Sequence, residues 1–328
     1  MNEIKEENYK KIFRSLKDGQ NILELCSIFD CTLTEAKGLI QILKVRGYDI
    51  DVVNINNEFY IKKKNIIRTR KTIKPSPDSL NHIKLCVVSD THLCTTIQQL
   101  DLVNKTYKEA YNRGIHTVLH CGDVIDGDFT KIRPAQNYDI FRRGFDEQTD
   151  YVIDMYPKVD GITTYFIEGS HDQTHVKNGG ATPGLWIEKL RNDMKYLGTP
   201  EATITLDKVK IKMQHPGGGC ARSLSYKPQI AIDEMETNEK PNIFFQGHFH
   251  KAYGCVYRNV YAYLVPSFMD QSGFMKMNNI RSIVGAYFMD IYADKNGHIE
   301  YLDVDPYIYE EKDIDKNDYK HVKKLVIK

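Results

Sequence analysis

Five strand-like runs in the second part of the chain each end in aspartate or histidine. In chain order they read IKLCVVSDTH, HTVLHCGD, TTYFIEGSHD, IKMQH and NIFFQGHFH. A single Asp or His at a strand end usually forms a turn, but five in succession are hard to explain in that way. In an open α/β sheet, ligands bind beyond the carboxyl ends of the strands. The pattern therefore predicts that a sheet edge gathers carboxylates and imidazoles into one binding site.

Helical stretches separate these runs, one from Leu100 to Tyr111 and another from about Tyr138 to Met155. This alternation of strands and helices predicts an α/β domain. After His250 the chain becomes rich in β-prone residues, as in YGCVYRNVYAYLV and SIVGAYFMDIYA. The predicted fold class is therefore α/β with some α+β character.

The residue types at the strand ends favour a transition-metal site. Mixed Asp and His ligands suit Mn²⁺, Fe or Zn²⁺ better than Ca²⁺ or Mg²⁺. Asp90 and His92 leave one strand end in the same direction, because side chains alternate with period two, and His248 and His250 repeat this arrangement. Asp123 is well suited to bridge two ions, which together can clamp a phosphate and activate a water. We expect two divalent ions, with Mn²⁺ preferred and Fe or Zn²⁺ as alternatives.

The order D-x-H, GD, G-S-H-D, H and G-H-F-H over residues 82–305 resembles the signature of the calcineurin-like metallophosphoesterases. The resemblance implies a four-layer fold, in which a two-sheet β-sandwich is flanked by helices and carries a dinuclear metal centre. By this resemblance, Asp123 takes the position that bridges the two ions. The other implied ligands of the first ion are Asp90, His92 and His250. Those of the second ion are Ser170, His215 and His248.

The resemblance also implies two catalytic residues in the third run. His171 corresponds to the non-ligand histidine that protonates the leaving oxygen, and Asp172 to the acid that orients it. The family has asparagine where this chain has Ser170, and a serine hydroxyl reaches a metal less easily than an amide oxygen. We expect a water to fill the gap or the second ion to bind weakly. Gly169 is expected because the backbone must turn sharply beside the metals.

Residues 1–64 predict a separate small domain with three helices and a β-hairpin around Asn56-Asn57. Thr32 and Glu35 form a capping-box pattern at the start of the third helix. This order is typical of a winged helix-turn-helix, in which Thr32–Tyr48 would be the recognition helix for DNA. The alternative is a protein-docking or dimerisation module with a solvated helix face, and the two lysines on that face do not decide between them.

Residues 65–81 predict a basic linker, and residues 306–328 a charged C-terminal tail. From Lys62 to Lys74 there are seven basic residues and no acidic ones. Such a stretch either contacts nucleic-acid phosphates or is a solvated connection. The predicted domains are thus 1–64 and 82–305, with the linker between them and the tail after them.

The predicted activity is metal-dependent hydrolysis of phosphodiester bonds, by a nuclease or another nucleic-acid phosphoesterase. The sequence GDVIDGDF lacks the arginine that follows this block in protein Ser/Thr phosphatases, so that branch is disfavoured. One alternative is a phosphodiesterase or phosphatase of small nucleotides whose N-terminal domain docks a protein. Another is a DNA-binding regulator whose hydrolytic site has lapsed, for which the serine at position 170 is the only support.

The amino-acid composition also bears on the cellular compartment and on the partners of the protein. The net charge of +1 does not by itself suggest a nucleic-acid partner. The seven cysteines are odd in number and include no CxxC pair, which favours a reducing cytosol over a disulfide framework. No apolar signal core or membrane-spanning run occurs, so we expect a cytoplasmic protein without a membrane partner. A homo-oligomer remains open.

Overall fold

A computed structural model describes residues 6–17, 19–46, 48, 50–55, 57–63, 80–130 and 139–310 of the chain. The chain divides into two compact units, Met1–Lys74 and Pro75–Lys328. The predicted linker lies almost wholly outside the described residues, and so does the predicted tail beyond residue 310. Across the described residues, no helix combines the length and apolarity that crossing a bilayer requires.

The first unit consists of three helices followed by an antiparallel pair of strands. Its elements are α1 Glu6–Ser15, α2 Ile22–Phe29, α3 Leu33–Val45, β1 Ile50–Ile55 and β2 Glu58–Lys63. The predicted capping box is present, because the Glu35 amide donates to Thr32 Oγ1 at 3.3 Å and the Thr32 amide donates to Glu35 Oε2 at 2.8 Å. Ile55 pairs with Glu58 at the end of an antiparallel hairpin, which confirms the predicted pair of strands.

This unit has its own apolar core. One face of α3, formed by Ala36, Ile40 and Leu43, is buried against α2 and the two strands. Burying each large aliphatic side chain contributes about 1.5–3 kcal/mol. The order of elements agrees with the predicted hairpin and helices, whereas the winged-helix interpretation remains a prediction.

The second unit contains six helices and eleven strands in its described residues. The helices are α4 Leu100–Asn112, α5 Phe145–Met155, α6 Gln173–Gly179, α7 Pro183–Leu190, α8 Tyr226–Glu234 and α9 Gly273–Met277. The strands are β3 Asn81–Val88, β4 Thr117–His120, β5 Thr163–Phe166, β6 Met194–Tyr196, β7 Glu201–Leu206, β8 Val209–Gln214, β9 Ile243–Gln246, β10 Tyr253–Tyr257, β11 Val260–Leu264, β12 Gly285–Ala293 and β13 Ile299–Ile308.

These strands form two sheets, with the orders β13-β12-β3-β4-β5-β6 and β10-β11-β9-β8-β7. Alternate side chains of β3 face different cores: Leu85 packs between the sheets, whereas Cys86 packs under the α4 side chains. On β9, Phe245 faces the inter-sheet core, and Phe244 packs with Ile232 of α8. The order of layers is therefore helix, sheet, sheet, helix, which confirms the predicted four-layer α/β architecture.

Two predicted boundaries differ from the structure. The helix expected from Tyr138 begins at Phe145, because Gly144 has a φ of 82° and Ile140 before it forms a β-bridge with Thr95. The strand β13 continues to Ile308, beyond the predicted domain end at residue 305. Neither difference moves a predicted site residue.

Within each sheet, the carboxyl ends of the parallel strands are level with one another, which determines where the site forms. In the first sheet β3, β4 and β5 are parallel, and Val88 is opposite His120, which is opposite Phe166. In the second sheet β8 and β9 are parallel, and Gln214 is opposite Gln246. Each Asp/His sequence follows directly after one of these aligned residues. Side chains from both sheets consequently meet at a single edge of the sandwich.

Candidate metal centre

One group of three buried side chains joins the first and last of these strand ends. Asp90 and His92 follow β3, and His250 follows β9. His250 Nε2 lies 3.3 Å from Asp90 Oδ1, and His92 Nε2 lies 3.7 Å from the same oxygen. The two imidazole Nε2 atoms are 3.2 Å apart. The structure thus brings together the three residues that the sequence assigned to the first ion.

A second group lies beside the first and consists of Asp123 after β4, His215 after β8 and His248 after β9. His215 Nε2 is 3.0 Å from Asp123 Oδ2. The same carboxylate oxygen is 3.8 Å from His92 Nε2 of the first group. Asp123 therefore lies between the two groups, in the place where a bridging carboxylate would have to be.

The hydrogen bonds of the outer ring nitrogens fit a metal site. His92 Nδ1 lies 2.9 Å from Asp126 Oδ1, His215 Nδ1 lies 2.7 Å from the Cys121 carbonyl, and His248 Nε2 lies 2.6 Å from the Gly218 carbonyl. An oxygen acceptor holds the proton on the nitrogen that faces it, which leaves a lone pair on the other nitrogen. His215 Nε2 is buried and makes no well-aligned hydrogen bond within the described chain, although Asp123 Oδ2 lies 3.0 Å away. The inward nitrogens are thus prepared to ligate cations.

The buried carboxylates and imidazoles at this edge strongly shift one another's pKa values. Burial alone would raise the pKa of Asp90, but His250, His92 and His215 beside it outweigh burial and hold that pKa well below its usual value. Burial would lower the pKa of His215, but the adjacent Asp123 outweighs this and raises it to about 9. Divalent cations among these groups would replace the protons that now balance the carboxylates. The donor set, carboxylate oxygen and imidazole nitrogen, matches Mn²⁺, Fe or Zn²⁺.

Five of the predicted ligands have left-handed backbone conformations, which L-residues other than glycine rarely adopt. Their φ values lie between 40° and 76°, and the residues are Asp90, His92, Asp123, His248 and His250. Loop hydrogen bonds hold them there, including those from the Asp90 amide to the Gly122 carbonyl and from the His92 amide to the Asp123 carbonyl. Backbone strain of this kind concentrates at functional sites, where the surrounding structure enforces it.

Ser170 lies on the turn after β5, between Gly169 and His171, and is half-buried. Its hydroxyl makes no hydrogen bond to any residue in the described part of the chain. The second group gathers three ligand atoms without it. A metal-ligand role for Ser170 therefore remains a prediction.

Gly169 is required for close approach and not for the sharp turn that the sequence suggested. Its φ lies outside the left-handed region. A Cβ at this position would collide with the Asp123 carboxylate and would lie 2.7 Å from His215 Cδ2. The glycine therefore allows β5 to end directly against the second group of ligands.

The carboxylate beside His171 is Asp126, which the sequence reasoning missed. His171 Nδ1 lies 2.9 Å from the Asp126 carbonyl oxygen and 3.1 Å from its Oδ1. Burial would lower the pKa of His171, but Asp123 and Asp126 outweigh it and raise that pKa. The side chain is 25% exposed, and Asp126 is the partner of Nδ1 only. The signal in the sequence was the second aspartate of GDVID, three residues after Asp123.

Asp172 does not pair with His171, contrary to the sequence expectation. Its carboxylate accepts hydrogen bonds from the backbone amides of Gly169, Ile125 and Val124 at 2.8, 3.0 and 3.2 Å. It therefore ties the turn after β5 to the loop after β4. Burial, followed by the negative charges of Asp123 and Glu168, raises the pKa of Asp172 to about 7.

The sequence matches the model of a known protein family. The family model described as a calcineurin-like phosphoesterase superfamily domain matches residues 83–266. No curated protein matches the sequence significantly.

Solved structures resemble the chain at low identity. A novel archaeal phosphodiesterase is 13% identical over 68% of this chain and 99% of its own, with a TM-score of 0.39. Vps29 from Entamoeba histolytica, solved with zinc, is 14% identical over 68% and 99%, with a TM-score of 0.33. A hypothetical protein from Pyrococcus horikoshii is 11% identical over 74% and 94%, with a TM-score of 0.40.

Proposed function

The chain belongs to the calcineurin-like phosphoesterase superfamily, whose members are metal-dependent phosphoester hydrolases, and from this premise we propose that it hydrolyses phosphodiester bonds of nucleic acids with two divalent ions. The observation that supports this best is the pair of adjacent Asp/His groups with Asp123 between them. When bound, two ions polarise the phosphoryl oxygens and favour attack by water. Four strand ends, those of β3, β4, β8 and β9, supply the residues that would hold them.

In the proposed reaction, the Asp and His side chains of the two groups would hold the ions, and the ions would bind the phosphate. Asp90, His92 and His250 would hold one ion, and His215 and His248 the other, with Asp123 shared. The donor set supports Mn²⁺ as the preferred metal, with Fe or Zn²⁺ as alternatives.

His171 is proposed as the general acid. Its Nδ1 faces Asp126, so Nε2 can carry a proton toward the oxygen that leaves the phosphorus. The raised pKa of His171 favours the protonated form that this role needs. Asp126 orients the ring and stabilises its charge, and Asp172 holds the loops in which both residues lie.

Nucleic acid as the substrate class is supported by the first unit and the sequence after it. Three helices and a β-hairpin precede a stretch with seven basic and no acidic residues from Lys62 to Lys74. Such a stretch attracts a polyphosphate backbone. We also propose a reducing cytosolic location, since all seven cysteines are free.

A second candidate function is hydrolysis of a small nucleotide, with the first unit docking a protein. It is favoured by the lysines of α3, because Lys44 Nζ is ion-paired with Asp51 at 2.9 Å and Lys37 Nζ lies 3.4 Å above the Phe59 ring. Both cations thus have partners inside the unit. Ile42 and Val45 of the same helix are exposed, which suits a protein surface better than a phosphate backbone.

The test begins with metal-depleted protein and bis(4-nitrophenyl) phosphate, to which Mn²⁺, Fe²⁺ or Zn²⁺ is returned. Restored hydrolysis with one of these ions is expected, and no hydrolysis with any of them would contradict the proposed enzyme. Single- and double-stranded DNA and RNA are then compared with cyclic and linear dinucleotides. Faster turnover of polynucleotides supports the nuclease, whereas cleavage of small nucleotides alone supports the second candidate.

A further inference from the structure

The loop between β8 and α8 lies next to the metal centre. It contains three successive glycines, from Gly217 to Gly219, which are all exposed. The Gly218 carbonyl accepts the hydrogen bond from His248 Nε2 at 2.6 Å, and its φ of 86° lies in the left-handed region. This loop therefore begins with one predicted ligand of the second ion, His215, and positions another, His248, through the Gly218 carbonyl.

Lys227, the second residue of α8, lies against this loop. Its ammonium nitrogen is 3.8 Å from the position that a Cβ on Gly218 would occupy. The side chain is half-buried, and no carboxylate of the described residues pairs with it. The neighbouring Asp233 on the same helix binds Arg258 instead, at 2.8 Å. A partly buried lysine without a carboxylate partner among the described residues thus lies beside the second group of ligands.

The hydrogen bond of His248 indicates that the Lys227 ammonium and the reacting phosphate lie on different sides of the His248 ring. Its Nε2 is hydrogen-bonded to Gly218, so only Nδ1 remains for a metal ion. Lys227 is next to Gly218 and hence on the outer side of the imidazole ring. A phosphate held by the ions would lie on the inner side. An anion that pairs with Lys227 would therefore be a group other than that phosphate.

We propose that Lys227 binds a second phosphate of the substrate, adjacent to the one that is hydrolysed. This inference rests on the proposed function, and it specifies the substrate as a diester that carries another phosphate on a neighbouring nucleotide. Half-burial of an ammonium weakens its hydration, which is recovered when an anion binds. Lys227 therefore contributes to substrate selection and leaves the bond-breaking step to the residues around Asp123.

Three dinucleotides provide the test: TpT, which has a single phosphate, and pTpT and TpTp, which add one at either end. Binding is measured by calorimetry on the full chain loaded with Mn²⁺, in a His171→Ala background that slows turnover. We expect one of the two terminal phosphates to tighten binding by about tenfold, the lower range for a charge-assisted hydrogen bond. That gain should disappear in Lys227→Ala and persist in Lys227→Arg.

Lys295→Ala is the matched control. It removes the same charge from the turn between β12 and β13, near Asn81 at the start of β3 and therefore at the opposite end of the strand from the site. The gain from a terminal phosphate should remain in this variant. Equal binding of all three dinucleotides by the protein with Lys227 present would overturn the proposal. So would a gain that survives in Lys227→Ala, or affinity for TpT that falls as much as affinity for the phosphorylated forms.

Hydrolysis of bis(4-nitrophenyl) phosphate by the unaltered chain separates this inference from the proposed function. That ester carries no second phosphate, so KM and kcat should be unchanged in Lys227→Ala. If the unaltered chain fails to hydrolyse it but still prefers a terminal phosphate through Lys227, the proposed function is wrong and the binding site stands. If the unaltered chain hydrolyses this ester but does not prefer a terminal phosphate, the Lys227 site is wrong and the proposed function stands.

Discussion

The five left-handed ligand residues show how much the site depends on conformations that the sequence does not display. A residue in such a region costs on the order of 1–3 kcal/mol, which the surrounding loops must offset. Residue types and spacing were enough to predict which Asp and His side chains would converge. They were not enough to distinguish Asp126 from Asp172, because the identity of the carboxylate beside His171 depends on how two loops pack.

Asp123→Asn should lower the metal content and abolish hydrolysis. Its carboxylate lies 3.0 Å from His215 Nε2 and 3.8 Å from His92 Nε2, so it faces both groups, and an amide cannot supply the same charge to two cations. Metal analysis and turnover of bis(4-nitrophenyl) phosphate measure the effect. Two retained ions with normal turnover would rule out a shared ligand at this position.

His171→Ala should reduce turnover by about 10²–10⁴-fold, the usual range for loss of a general acid. The loss should be smaller for a nitrophenyl ester than for DNA, because nitrophenolate leaves without protonation. Asp126→Asn should produce a weaker form of the same leaving-group dependence, since Asp126 orients the ring. It also lies 2.9 Å from His92 Nδ1, so metal content must be measured in parallel. Equal losses for both esters would exclude the acid role.

Ser170→Asn should tighten the second ion by about 1–2 kcal/mol, the scale of one hydrogen bond to a neutral group. An amide oxygen reaches further than the hydroxyl, which makes no hydrogen bond to the described residues. Titration of both forms with Mn²⁺ compares the concentrations that give half-maximal activity. Equal or weaker affinity in the variant would show that the pocket is adapted to serine.

At the scale of elements, the strands were predictable because each is a short apolar run that ends in polar residues. All five site-bearing strands appear where the sequence placed them, and their level carboxyl ends explain why five distant segments meet. The start of α5 was missed, since the amphipathic pattern continues through residues that Gly144 separates from the helix. The close approach of β5 to β4 also depends on tertiary packing.

Gly169→Ala tests that approach. The added methyl group would overlap the Asp123 carboxylate and press on His215, so we expect loss of the second ion and most of the activity. Gly179→Ala is the control, because no atom lies within 4 Å of its Cβ position and its φ is ordinary. Metal stoichiometry and thermal unfolding should change in the first variant only. Normal metal binding in Gly169→Ala would show that the loops relax without cost.

At the scale of the whole molecule, the chain combines two units with separate roles in the proposal. Each has its own buried core, one built around Ile22, Leu25 and Ile61 and the other between and outside the two sheets. All candidate ligands and His171 belong to the second unit. The sequence predicted domains at 1–64 and 82–305, and those bounds stay a prediction, whereas the structure divides the chain after Lys74. The sequence could not predict the partner of the first unit, because Lys37 and Lys44 look available in sequence and are engaged in the structure.

Removal of residues 1–74 should therefore leave hydrolysis of bis(4-nitrophenyl) phosphate unchanged, since the second unit keeps its core and every candidate ligand. Affinity for DNA should fall, and its dependence on salt should become shallower by about 0.7–0.9 for each phosphate contact that is lost. The seven basic residues from Lys62 to Lys74 leave with the first unit, which is the physical reason for both effects. Binding at two salt concentrations, for the full and the shortened chain, gives the two slopes. Unchanged affinity and slope would assign the first unit to protein docking and leave substrate binding to the second unit alone.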